Sequence, residues 1–196
     1  MRPLDLMPAR VPGGMVVCSD LCSGLGGFRF GLGRRFAGSS GFTLKRSKLY
    51  NIGRAVHTDW SGSKNFYVAD NSFVGRHDPD KMMSWIGAMW EKFPGFPELL
   101  TSEYAVKVYG QGHVVAHNYI ANFHDAIDHA TFGNPSPKPG EYGASVDFYA
   151  NDMFNITDNC IETDGGVHNM RVFDNRCVNT AQLAYSTQPI FGGPVY

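Results

Sequence analysis

Apolar and polar positions alternate over short stretches of the chain, and one ten-residue arrangement returns five times. It runs apolar, any, apolar, any, any, Asn, any, apolar, any, Asn or Gly. It reads FTLKRSKLYN from Phe42 (with Ser47 in the first Asn place), FYVADNSFVG from Phe66 and HVVAHNYIAN from His113. VDFYANDMFN from Val146 and MRVFDNRCVN from Met170 complete the set. Alternation of this kind predicts short strands with one buried face. Successive units start 24, 47, 33 and 24 residues apart, which suits a unit of about 24 residues. The gap of 47 is either a second, degraded unit or a long insertion.

A strand-and-turn period in the twenties is the signature of a solenoid. A leucine framework of the leucine-rich-repeat kind is absent, and a parallel β-helix fits better. Asn71, Asn118, Asn151 and Asn175 fall in one column, and Asn51, Asn122, Asn155 and Asn179 form most of another. Asn tolerates the left-handed backbone that a coil corner needs, and its amides form hydrogen-bonded ladders when stacked. Both columns are therefore read as structural.

On these repeats, residues 42–196 resemble the right-handed parallel β-helix superfamily, the pectate-lyase-like fold. The closing run STQPIFGGPVY, after DGGVHNMRVFDNR, is similar to stretches of bacterial β-helix repeat proteins. The resemblance implies an all-β, right-handed, single-stranded parallel β-helix with coils of about 24 residues and loop insertions. Those insertions are expected at about 78–101 and 131–143, and residues 1–41 fit the repeat poorly. It also implies work on polysaccharides, by hydrolysis, lyase chemistry or epimerisation. Solenoids need capped ends, and without an evident capping segment the chain reads as a fragment.

Composition narrows the classes further. The 196 residues carry a formal net charge of -1 without a basic stretch, so no nucleic-acid footprint is expected. No apolar run is long enough to span a bilayer. The start lacks an apolar core of signal-peptide length, yet the resemblance implies a secreted, cell-surface or periplasmic monomer. Cys18 and Cys22 form a lone CxxxC, not a zinc pattern. Cys160 and Cys177 occupy apolar pattern positions and are read as small buried hydrophobes.

The acids carry the candidate chemistry. Aligning Val56, Ile127 and Ile161 as inward residues puts His57, Asp128 and Glu162 in one outward column, with Asp59 and Asp164 two positions on. Neighbouring coils lie about 4.8 Å apart and i, i+2 residues roughly 6.5–7 Å apart. Asp128 and Glu162 would approach the roughly 5–5.5 Å of a retaining glycosidase pair, and Glu162 with Asp164 the inverting range of roughly 6.5–9.5 Å. Crowded carboxylates raise at least one pKa unless a cation intervenes, so the cofactor is either none or Ca²⁺ on Asp128, Glu162 and Asp164. Asp125, His124 and Asp158 at the preceding turn could line the same groove. His168 and Arg171, after the GG turn, could meet an anionic sugar.

The leading expectation is a glycoside hydrolase acting on a polysaccharide through Asp128, Glu162 and Asp164. A lyase or epimerase would instead use Arg171, Arg76, His124 or Lys107. GRHDP at 75–79 does not reproduce the Asp-Pro-His-acid order of β-helix uronan epimerases. A non-catalytic glycan-binding or structural surface solenoid is the third reading. The aromatic run at 82–100, with Trp85 and Trp90, is read as a satellite core in preference to a sugar-stacking flap. SGLGGFRFGLG lacks the strand and helix of a dinucleotide-binding loop.

Overall fold

The computed structural model describes residues 40–58, 61–76, 102–129, 138, 140–188 and 190–196. The N-terminal segment before Ser40, Asp59, the His77-Asp78-Pro79 stretch, the aromatic run at 82–100 and the loop at 130–137 lie outside the described residues. Among the described residues every regular element is a strand, and the strands build three parallel sheets of five. The first sheet holds β1 (Thr43–Lys45), β4 (Tyr67–Ala69), β7 (Val114–Ala116), β10 (Ala144–Tyr149) and β13 (His168–Phe173). The second holds β2 (Lys48–Ile52), β5 (Ser72–Gly75), β8 (Tyr119–Phe123), β11 (Asp152–Ile156) and β14 (Arg176–Thr180). The third holds β3 (Arg54–Thr58), β6 (Tyr104–Val108), β9 (Asp125–Asp128), β12 (Asn159–Glu162) and β15 (Leu183–Ser186).

Every third strand pairs with its predecessor, so the chain winds as a parallel β-helix-like solenoid. The repeat dictates the register. Leu44, Val68, Val115, Phe148 and Val172 align in the first sheet, and Leu49, Phe73, Ile120, Met153 and Cys177 align in the second. These columns fill one shared apolar core with the Val56, Val106, Ile127 and Ile161 column of the third sheet. Because β4 pairs directly with β7, the 47-residue spacing is one turn of the solenoid, lengthened between β5 and β6.

The two asparagine columns divide the labour that the sequence assigned to both. Asn71, Asn118, Asn151 and Asn175 form an internal ladder, each amide donating to the next side-chain oxygen at 3.0 Å. Here the left-handed conformation belongs to the residue before each: Asp70, His117, Ala150 and Asp174. In the other column the asparagines themselves take it, with φ of 58° at Asn51, 64° at Asn122, 53° at Asn155 and 59° at Asn179. Gly75 was aligned with that column, but it pairs with Ile52 and skips the bulge. A Cβ at Gly75 would run into the Asn122 carbonyl.

One reading is corrected. Cys160 and Cys177 form a disulfide, with Cα atoms 6.2 Å apart, and are not free buried thiols. Their positions are apolar because the bridge crosses from the third sheet to the second against the core.

Candidate functional site

The third sheet carries the acids. Its ladder aligns His57, Lys107, Asp128, Glu162 and Ser186 in one column, beside the inward column of Val56, Val106, Ile127 and Ile161. The structure thus brings His57, Asp128 and Glu162 into the column expected from the sequence. It inserts Lys107 between His57 and Asp128. Strand alternation reads such a column as solvated, yet β9 and β12 are buried on both faces. Asp128 and Glu162 are 1% and 5% exposed, which makes their partners decisive.

Those partners differ. The Lys107 ammonium lies 2.7 Å from Asp128 Oδ2 and 4.4 Å from the centre of the Tyr104 ring. Burial alone would lower the Lys107 pKa, but Asp128, Tyr104 and Tyr109 together outweigh it and the net shift is upward. Glu162 receives the Asn159 side-chain amide on Oε1 at 2.5 Å. Burial, then the Asp128 charge, push the Glu162 carboxyl up to about 8. Buried Asp125 is raised well above the usual carboxylate range by burial and then by Glu162. One oxygen of each of Asp125, Asp128 and Glu162 lies within 4.8 Å of the others.

Asp164 has a different place. Its carboxylate accepts the Ser186 hydroxyl at 2.9 Å and the Gln188 backbone N–H at 2.7 Å, tying one coil to the next. Burial still raises its pKa, against both bonds. Two trios of metal-capable groups come together among the described residues, Asp125 with Asp128 and Glu162, and His124 with Asp125 and Asp158; Asp164 belongs to neither.

The corner leading into β9 and β12 collects His124, Asp125 and Asp158. His124 Nε2 lies 3.5 Å from Asp158 Oδ2 and 3.9 Å from Asp125 Oδ2. Burial lowers the His124 pKa and raises that of Asp158, in each case against the attraction of the other.

His168 and Arg171 do not join the site. Both lie on β13 in the first sheet, where Arg171 makes a two-pronged ion pair with Asp147, 2.6 Å at each prong, and His168 meets the edge of Tyr142. After the GG turn the chain enters β13, which opens the next coil. Asn159, which holds Glu162, was not among the candidates. Its only signal was its place one residue after Asp158 at the strand entrance.

In comparisons with known proteins, the chain matches no family model, no curated protein and no solved structure.

Proposed function

We propose that the chain is a right-handed parallel β-helix of the pectate-lyase-like superfamily, with coils of about 24 residues, that hydrolyses a polysaccharide at Asp128 and Glu162. The observation that carries this reading is the side-by-side placement of two carboxyl groups in opposite surroundings. Asp128 faces an ammonium, whereas Glu162 is buried against an amide. Paired acids whose environments differ divide acid and base work between them. Glu162, protonated at neutral pH, donates to the glycosidic oxygen, and Asn159 orients it. Asp128, aimed by Lys107, acts on the sugar carbon as nucleophile. Their adjacency on neighbouring coils suits retention of configuration more than inversion.

Lyase chemistry has less support, because Lys107 is ion-paired with Asp128, Arg171 is paired with Asp147 on another sheet, and His124 lies between the Asp125 and Asp158 carboxyls. The Cys160–Cys177 disulfide favours an oxidising compartment, so a secreted, periplasmic or cell-surface location accompanies this proposal. The site is proposed to work in a monomer, since the acids come from one chain.

One observation favours a second reading, a non-catalytic surface solenoid. The pair is closed to water, so a sugar reaches it only if this flank opens. Single variants decide between them. Glu162→Gln and Asp128→Asn should each lower kcat at least ~100-fold on a hydrolysed glycan, with the fold intact by circular dichroism. Azide should restore turnover on an activated glycoside in the Asp128→Asn variant. Full activity in both variants would remove the catalytic reading.

A further inference from the structure

Buried polar side chains are nearly always bonded, so those left without partners point to something missing. Six such atoms occur among the described residues, and four of them belong to equivalent or adjoining places on consecutive coils: both carboxylate oxygens of Asp158, the side-chain oxygen of Asn159 and the amide nitrogen of Gln182. Pairing of Asn159 with Leu183 puts Asp158 and Gln182 at equivalent places on consecutive coils. Asp158 is 1% exposed, and a buried carboxylate without a single hydrogen bond is costly. Neither Asp158 nor Asp125 forms an ion pair with Lys or Arg among the described residues. Two carboxyl groups thus stand at one corner with only an imidazole between them.

The scaffold holds these groups firmly. The Asp158 backbone N–H donates to the His124 carbonyl at 2.9 Å, and the Asn159 N–H donates to Asp125 Oδ1 at 3.0 Å. The remaining atoms converge: His124 Nε2 and one oxygen each from Asp125 and Asp158 lie within 4.8 Å of one another. Ligands bound at about 2.1 Å to one ion stand roughly 3.0–3.6 Å apart. The 3.5 and 3.9 Å from His124 Nε2 to the two carboxylates are close to that spacing, and the carboxylates stand within 4.8 Å of each other.

We infer that this corner binds a divalent transition-metal ion of the zinc or manganese kind, through His124 Nε2 and the Asp125 and Asp158 carboxylates. The imidazole selects against calcium, which takes oxygen ligands in larger number. Three protein ligands leave a position open for water or a sugar hydroxyl, beside the Asp128–Glu162 pair. The inference goes beyond the hydrolase reading and does not depend on it, because binding is measured without turnover.

The test is calorimetric titration of the chelator-treated full chain with Zn²⁺, Mn²⁺ and Ca²⁺, paired with thermal melting. One Zn²⁺ or Mn²⁺ per chain, a higher melting temperature and Ca²⁺ bound at least ~100-fold more weakly are expected. Asp158→Asn should weaken uptake at least ~10-fold, yet melt no lower than wild type in chelator, because the buried carboxyl it replaces accepts no hydrogen bond. A merely structural Asp158 would instead melt lower with and without metal. Absence of Zn²⁺ and Mn²⁺ uptake by folded wild type would overturn the inference. So would uptake lost in Glu162→Gln but kept in Asp158→Asn, which would assign the ion to Asp125, Asp128 and Glu162.

Discussion

Two corners of the same coils bury polar residues, with opposite outcomes. Between the first and second sheets, Asn118 donates to the Val68 carbonyl and to Asn151 Oδ1, both at 3.0 Å, while its own oxygen accepts from Asn71 twice. Between the second and third sheets, the Asp158 carboxylate lies as deep and accepts no hydrogen bond. A buried polar group with a full set of partners is scaffold, because each bond repeats from coil to coil and none remains to offer a ligand. A buried group without partners retains binding capacity. Depth alone does not separate the two; completeness of bonding does.

The largest expected effect tests the scaffold corner. Asn118→Ala leaves Asn71, Val68 and Asn151 each short of a partner and should cost about 3–5 kcal/mol in chemical denaturation. A cost below about 1 kcal/mol would show that the bonded ladder is not scaffold.

His113 extends the same logic to pH. It sits at an apolar place in the repeat, accepts the Phe66 N–H on Nδ1 at 3.1 Å and donates from Nε2 to the Tyr109 carbonyl at 2.6 Å. Burial, reinforced by the neighbouring His129 ring, lowers its pKa to about 3. Between the ordinary value near 6.5 and about 3, the unfolded chain therefore binds the extra proton. The stabilisation is fully present above pH 6.5 and is lost as pH falls towards 3. Titration from pH 7 to 4 should remove on the order of 3 kcal/mol that His113→Gln does not lose. Equal acid sensitivity in both proteins would contradict this account.

The smallest effect is expected at Arg171. Its pair with Asp147 is exposed and distant from the acid-bearing sheet, so Arg171→Ala should cost less than about 1 kcal/mol and leave glycan turnover unchanged. A large fall in kcat would return Arg171 to the site.

Much of the fold was legible because the repeat couples two independent signals. Alternation named the inward residues, and the asparagines marked where each strand bends. Val56, Ile127 and Ile161 then placed Asp128 beside Glu162 before any coordinates. Lys107 escaped that column because the lengthened turn between β5 and β6 breaks the spacing that alignment relied on. The disulfide escaped because Cys160 and Cys177 meet across two sheets, and in a strand pattern a half-cystine reads like any small apolar residue. Burial of the acid column was illegible for another reason. Alternation states which residues share a face, not whether that face meets water.

Hydrolysis of a glycan by the Asp128–Glu162 pair is the function proposed for this fold. The most direct measurement incubates the folded full chain and its Glu162→Gln variant with neutral and uronic-acid polysaccharides, following reducing ends and the ultraviolet absorbance of unsaturated uronates together. The account predicts new reducing ends without that absorbance, in the wild type alone. Absorbance rising with the reducing ends, equal activity in the variant, or no cleavage of any polysaccharide by the folded protein would contradict it.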